Sequence, residues 1–184
     1  DRIITEKTIC CPQNEYERTK YEAEKIVSTG IRNGHVTILR PVNVVDENKK
    51  GAIGLAVCKS FMNYLRIFLK GGENAHIIHA ETVADAAMYF IKSDKFNVNT
   101  FFVSLDHEKE NTFAGVWLLA KLKLFTKKTT LIYLPWYVPY KIREIRQGYS
   151  KHPLVTYSSE KLKKSGFDKF MSLKETIDLV LKDY

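Results

Sequence analysis

The chain has 184 residues, 45% of them hydrophobic, and a formal net charge of +8. That is enough apolar residue for one sizeable core, which excludes a disordered chain. Cys10, Cys11 and Cys58 are odd in number and lack metal-ligand spacing. They argue against a disulfide scaffold and a metal site, and for a reducing, cytoplasmic setting with buried thiols. No zinc-finger spacing, RNA-binding motif or long basic run is present, so no nucleic-acid partner is expected. No signal-peptide pattern and no membrane span are read either, because Lys59, Asn63 and Arg66 interrupt the most apolar helical stretch. No membrane partner is therefore expected.

Residues 1–13 are charged and mixed, and read as a loop. Asn14, with Glu17 three residues on and Pro12 just outside, has the pattern of a capping box. It opens a helix to about residue 29, where Gly30 can end it. Positions four apart share a helix face, so Tyr16 and Lys20 point the same way. A phenol transfers protons near neutral pH when a neighbouring cation favours its charged form. The ammonium keeps donors for a ribose hydroxyl. The pair is also what an ordinary surface helix can carry. A second, overlapping pair, Tyr21 and Lys25, lies about 140° round the helix and is not expected to face the same ligand.

Residues 35–39 are a short β-rich run, read as a central parallel strand. It leads to Arg40-Pro41-Val42-Asn43-Val44. Arg40 reads as a structural ion-pair partner. Residues 51–70 read as one amphipathic helix with Ile53, Val57, Phe61, Leu65 and Phe68 in the core, ended by Gly71-Gly72. A short strand over 75–78 follows, then Ile78-His79-Ala80-Glu81-Thr82-Val83-Ala84-Asp85-Ala86. Thr82 is the expected cap of a helix over 82–93. His79 reads as a structural hydrogen-bonding residue.

A strand is expected at 99–105 and a helix at 111–124, burying Trp117, Leu118 and Leu122. A β-branched run covers 129–134. A helix over 136–147 carries Lys141, Arg143 and Arg146, a basic cluster that reads as a solvated face with a phosphate site as the other option. A short strand at 155–157 and a helix at 160–164, capped by Ser158 or Ser159, come next. Ser172 and Glu175 form a second capping box before the last helix.

The ordered matches Pro12, Tyr16, Thr19, Lys20, Glu24 and Arg40-Pro41-x-Asn43-Val44, together with the stretch 78–86, resemble the extended short-chain dehydrogenase/reductase family. These are NAD-dependent epimerases and dehydratases of nucleotide sugars. The resemblance implies an α/β fold: the C-terminal part of a Rossmann-type parallel sheet with a small, mainly helical substrate lobe. It places residues 1–50 in the NAD(P)-binding domain and 51–184 mostly in the substrate lobe, with 75–105 returning to the main sheet. It implies catalytic roles for Tyr16 as acid/base and Lys20 as ribose-holding residue. Cofactor contacts fall to Tyr16, Lys20, Pro41 and Asn43. NAD or NADP is the implied cofactor and a nucleotide sugar the implied substrate. A homodimer remains open.

The chain departs from the family pattern in four places. Val45-Asp46-Glu47 stands where a Gly-Pro is usual, and Glu81-Thr82 replaces an Asp-Asp pair. No glycine-rich dinucleotide turn is present, since Gly51 and Gly54 follow no strand. Thr5 and Thr8 follow no strand-like run, so no catalytic serine or threonine is assigned. The expected activity is that of a C-terminal portion, silent without a glycine-rich half. The rival is a non-catalytic α/β module that binds an anionic partner through its basic surface.

Overall fold

The computed structural model describes residues 2–30, 35–58, 60–92, 99–125, 129–148 and 152–184. In chain order the elements are β1 (Ile3–Ile4), α1 (Glu15–Gly30), β2 (Thr37–Pro41), β3 (Asn43–Val45), α2 (Gly54–Val57), α3 (Phe61–Lys70), β4 (Ile77–His79) and α4 (Ala80–Ile91). Then come β5 (Asn99–Val103), α5 (Phe113–Phe125), α6 (Tyr137–Gln147), β6 (Thr156–Tyr157), α7 (Glu160–Lys164) and α8 (Leu173–Val180). The expected α/β class with parallel pairing is what the chain adopts.

Residues 37–45 form one extended run that changes partner midway. β2 pairs in parallel with β5, from Thr37 opposite Asn99 to Pro41 opposite Val103. β3 pairs in parallel with β4, Asn43 opposite Ile77. Pro41 has no N–H to give, and the ladder with β5 ends there. Val42 N–H still reaches Val103 O at 3.2 Å, whereas Asn43 N–H already donates to His76 O at 2.8 Å.

Alternation along β4 joins two cores. Successive strand residues point to opposite faces. Ile77 packs with Ile53, Ala56, Ile67, Trp117 and Ile177 among the helices. Ile78 packs with Phe90, Phe101, Leu105 and Leu162 around β5 and α7.

Several expectations are corrected. The helix over 51–70 is two helices. Cys58 is extended (φ −83°, ψ 119°), and α3 restarts after Ser60; Lys59 lies outside the described residues. The break resets the helical phase, so a 3.6-residue period carried across it selects the wrong face. Ile67 is the buried residue of α3, and Phe61, Leu65 and Phe68 are exposed.

Residues 2–13 are not all loop. β1 pairs in parallel with β6, a partner some 150 residues away that no local pattern reveals. Thr82 does not cap α4. The helix starts earlier, with His79 Nδ1 accepting Glu81 N–H at 3.2 Å, and the buried Thr82 hydroxyl accepts Met171 N–H at 3.2 Å. Ser93, the expected end of that helix, lies outside the described residues.

Ser159 precedes α7, but its hydroxyl bridges Ser104, accepting its N–H at 2.8 Å and donating to its carbonyl at 2.9 Å. Ser158 Oγ takes Glu160 N–H instead, at 3.3 Å. Trp117 is buried as expected, whereas Leu122 is exposed, and the cysteines expected to be buried are not: Cys11 and Cys58 are exposed and Cys10 is half-buried. Residues 129–134 form no strand; Leu134 N–H donates to Phe68 O at 2.8 Å. α6 tolerates Pro139 because the first helical turn needs no N–H from it. The Ser172–Glu175 capping box is complete, with both reciprocal bonds made.

Candidate active site

α1 starts where the sequence marks it. Asn14 Oδ1 accepts Glu17 N–H at 2.8 Å. Glu17 reaches back one residue further than a standard capping box, accepting Gln13 N–H at 2.8 Å. One turn on, Lys20 Nζ sits 5.5 Å from the centre of the Tyr16 ring. The Thr19 hydroxyl donates to the Tyr16 carbonyl at 2.9 Å, which keeps it off the helix face used by Tyr16 and Lys20. Tyr16 is 70% exposed, and no residue of α1 is buried.

What fixes α1 to the sheet is an ion pair. Arg40 Nη2 lies 2.6 Å from Glu24 Oε2, and Arg40 Nε lies 3.0 Å from Glu24 Oε1. Such a forked guanidinium–carboxylate contact sets orientation as well as energy. The Glu24 hydrogen bonds hold the Arg40 pKa above its usual value, against the opposing effect of burial. One turn separates Lys20 from Glu24, so the pair sets how Lys20 and Tyr16 face outward.

They face a cavity of about 860 Å³. Tyr16, Lys20, Tyr21 and Glu24 line it from α1. Tyr21 was expected to face elsewhere. It reaches the cavity because α1 lies across the opening and not against a core, so a wide arc of the helix borders the space. Lys25 Nζ sits 4.3 Å from the centre of the Tyr21 ring. Thr5 and Thr8 also line the cavity, and Thr5 does follow a strand, β1. The Thr8 hydroxyl accepts Thr5 N–H at 3.0 Å, a local turn bond.

Pro41 and Asn43 are not on this wall. Pro41 closes β2. The Asn43 side chain donates to Ala75 O at 2.8 Å, so it ties β3 to the entry of β4.

Across the cavity stand His76, Tyr140, Arg143 and His152. His76 has φ 53°, a left-handed conformation that costs a residue with a Cβ. Its Nδ1 lies 2.7 Å from Asp106 Oδ2, and the same oxygen accepts Tyr157 N–H at 2.8 Å. The Asp106 side chain is buried. Sequence reasoning missed this pair, because its members are 30 residues apart and neither lies in a recognisable motif. His79, which does, is buried and caps α4.

The basic cluster of α6 is partly neutralised. Arg143 pairs with Glu73 at 2.7 Å and Lys141 with Glu144 at 2.9 Å. His152 packs 4.9 Å from the Trp136 ring centre; burial, then the charge of Arg2, pushes its pKa down. Among the described residues no group of three or more His, Cys, Asp or Glu side chains is placed to hold a metal ion.

Residues 2–92 match an NAD-binding family model described as Male sterility protein. No curated protein matches the chain. Solved structures do. One is a functionally unknown conserved protein from Silicibacter pomeroyi DSS, with TM-score 0.67, 15% identity, and 98% of this chain and 60% of that one covered. A second is MoeE5 in complex with UDP-glucose and NAD: TM-score 0.59, 14% identity, 99% and 59% covered. A third is a GDP-L-fucose synthetase from Naegleria fowleri bound to NADP: TM-score 0.50, 12% identity, 99% and 64% covered. At these identities the likeness is one of fold. The chain spans about 60% of the length of the structures it matches.

Proposed function

We propose that this chain, an extended short-chain dehydrogenase/reductase in fold and in the pattern of its residues 12–44, supplies the proton-transfer end of an NAD(P)-dependent nucleotide-sugar enzyme. The observation that carries the reading is the Tyr16–Lys20 pair on one helix face, open to a cavity of about 860 Å³. Residues 1–50 then belong to the dinucleotide-binding domain, with the 75–105 segment completing the sheet. Residues 51–184 otherwise form the substrate lobe of a cytoplasmic enzyme.

The residues fit the nicotinamide-ribose end of NAD or NADP. Lys20 has ammonium donors facing open space, and Tyr16 stands beside it. The pyrophosphate end has no glycine-rich turn in this sequence to receive it. When bound, the nicotinamide supplies the hydride chemistry. Tyr16 removes or returns the proton of the sugar hydroxyl at the carbon that exchanges hydride. Lys20, one turn on, holds the ribose. The Glu24–Arg40 pair positions both. Pro41 and Asn43, which stand off this cavity wall, stay proposed nicotinamide contacts by resemblance alone.

The UDP-glucose held by MoeE5, a structure of similar fold, supports a nucleotide diphosphate-sugar substrate, and the basic charge of the chain suits such an anion. Epimerisation, dehydration and reduction all use this arrangement. The test is to incubate the protein, as its gene encodes it, with UDP- and GDP-sugars and each nicotinamide cofactor, and to follow hydride transfer. Turnover that disappears in Tyr16→Phe supports the reading. No transfer with any pair, together with cofactor-independent binding of polyanions, selects the non-catalytic module instead.

A further inference from the structure

His76 sits just before β4 in a conformation that a residue with a Cβ rarely takes, with φ 53°. The surrounding chain holds it there. The Asn111 carbonyl accepts Ala75 N–H at 2.9 Å, and its side-chain oxygen accepts Ile77 N–H at 3.0 Å. The Asn111 amide donates to Ile77 O at 3.0 Å, and the His76 carbonyl takes Asn43 N–H at 2.8 Å. Glycine or asparagine meets such a backbone at lower cost. Strain that is held by many bonds, at the wall of a cavity, marks a side chain with a task.

The ring is fixed as firmly as the backbone. Asp106 Oδ2 lies 2.7 Å from His76 Nδ1 and already accepts Tyr157 N–H at 2.8 Å, so Nδ1 is the donor. The Asp106 side chain is 2% exposed, and its backbone N–H donates to Ser104 Oγ at 2.9 Å. The Tyr157 ring stands edge-on to the imidazole, with 5.2 Å between centres. With the proton on Nδ1, Nε2 keeps a lone pair. Nε2 has no partner among the described residues and is left accessible. His76 and Tyr157 both line the cavity.

From this geometry we propose that His76 contacts the substrate from the wall across from Tyr16, its Nε2 accepting a hydrogen bond from a sugar hydroxyl, and that Asp106 is the positioning residue behind it. The identity of the ligand rests on the nucleotide-sugar reading; the His76–Asp106 arrangement does not. The part of the ligand follows from the atoms. A nitrogen lone pair calls for a donor, which a sugar hydroxyl has and an ionised diphosphate lacks. Lys70 and Arg143, cations that line the same cavity, suit the diphosphate.

The test has a ligand-free arm and a binding arm, both on the protein as its gene encodes it. Diethyl pyrocarbonate acylates an accessible imidazole nitrogen, and peptide mass spectrometry locates the product. His76 is expected to react and the buried His79 to resist. Calorimetry then compares UDP-glucose with UDP, and GDP-mannose with GDP, in the wild type and in His76→Asn. Asparagine accepts the left-handed backbone, and its amide can donate to Asp106 in place of Nδ1–H, but it has no counterpart of Nε2. The variant is expected to keep its thermal midpoint within about 2 °C. It should bind the sugar nucleotide about tenfold more weakly and the bare nucleotide as the wild type does. Asp106→Asn is expected to show the same split, smaller in size. A His76 that the reagent leaves untouched in the ligand-free protein overturns the proposal whatever the ligand. So does a folded His76→Asn that binds the sugar nucleotide like the wild type, or one that loses sugar nucleotide and bare nucleotide alike. A wild type that binds none of the four, with His76 still reactive, overturns the nucleotide-sugar reading, and the proposed contact falls with it.

Discussion

Which tyrosine would move the proton in the proposed reaction is a question two side chains can answer, because Tyr16 and Tyr21 both border the cavity and each has a lysine cation against its ring. By resemblance to the family pattern, Thr19 before Lys20 and Glu24 after it favour the first pair. Glu24 is held by Arg40, at the end of β2, so the helix turn next to Lys20 is anchored. That pair is partly exposed, and after solvent screening it contributes about 0.5–1 kcal/mol. Its weight is therefore in orientation. In the protein as encoded, Tyr16→Phe should lower kcat by about 10²-fold or more. Lys20→Met should weaken cofactor binding as well, read by calorimetry, whereas Tyr21→Phe should leave kcat within about threefold. The reverse pattern, with Tyr21→Phe inactive and Tyr16→Phe normal, would shift the site to the second pair, about 140° round the helix, and discard the register.

At the scale of elements, the corrected face of α3 gives opposite predictions for two apolar residues six positions apart. Ile67 is fully buried among Ile53, Ala56 and Trp117. Ile67→Ala should cost about 2–4 kcal/mol in denaturant unfolding, while Phe61→Ser should stay within about 0.5 kcal/mol. Equal losses would restore the single long helix with Phe61 inside. α8 offers a pH test. Hydrogen bonds from the Ser172 hydroxyl and backbone hold the Glu175 carboxyl below its ordinary value of 4.5. A folded-state value below the unfolded one stabilises the fold above the unfolded value, and the stabilisation is lost as pH falls through the folded value. Ser172→Ala should lower the thermal midpoint near neutrality by about 2–4 °C. It should also flatten the part of the acid-side decline that lies below pH 4.5. An unchanged acid limb would mean that Glu175 draws nothing from Ser172.

These caps were legible in the sequence because donor and acceptor sit three residues apart. So was the Tyr16–Lys20 row, which needs only the helical period. The β1–β6 ladder and the His76–Asp106 pair were not, since each is made by distant segments that meet only in the fold. The Thr82 cap failed for the same reason, its hydroxyl being engaged by Met171 from the far end of the chain.

At the scale of the whole molecule, the cavity as proposed would give the reacting end of a dinucleotide a wall and its middle no cradle. A pyrophosphate is bound chiefly by successive backbone N–H groups at a glycine turn and by the helix N-terminus that follows. This sequence has no such turn, and its closest glycines, Gly51 and Gly54, sit after a lysine-rich loop. Gly51 has φ 53°, and an added Cβ there would meet Val45 Cγ1 at 2.9 Å, so its glycine is accounted for by the turn it makes. Lys20 alone offers the ribose a few hydrogen bonds, each contributing about 1 kcal/mol net. A polypeptide of these 184 residues should thus bind NAD(H) and NADP(H) no tighter than about 1 mM, near −4 kcal/mol, in calorimetric titration. β2 has its neighbour β5 on one side, and among the described residues no strand pairs with its other edge. Open edges template association, so the same preparation should show concentration-dependent self-association by light scattering. The +8 charge opposes this, and added salt, by screening that charge, should increase it. Micromolar nicotinamide binding by the 184-residue polypeptide would mean that the cavity recruits the pyrophosphate by another route. Lys70 and Arg143 on its far wall would then be the first residues to replace.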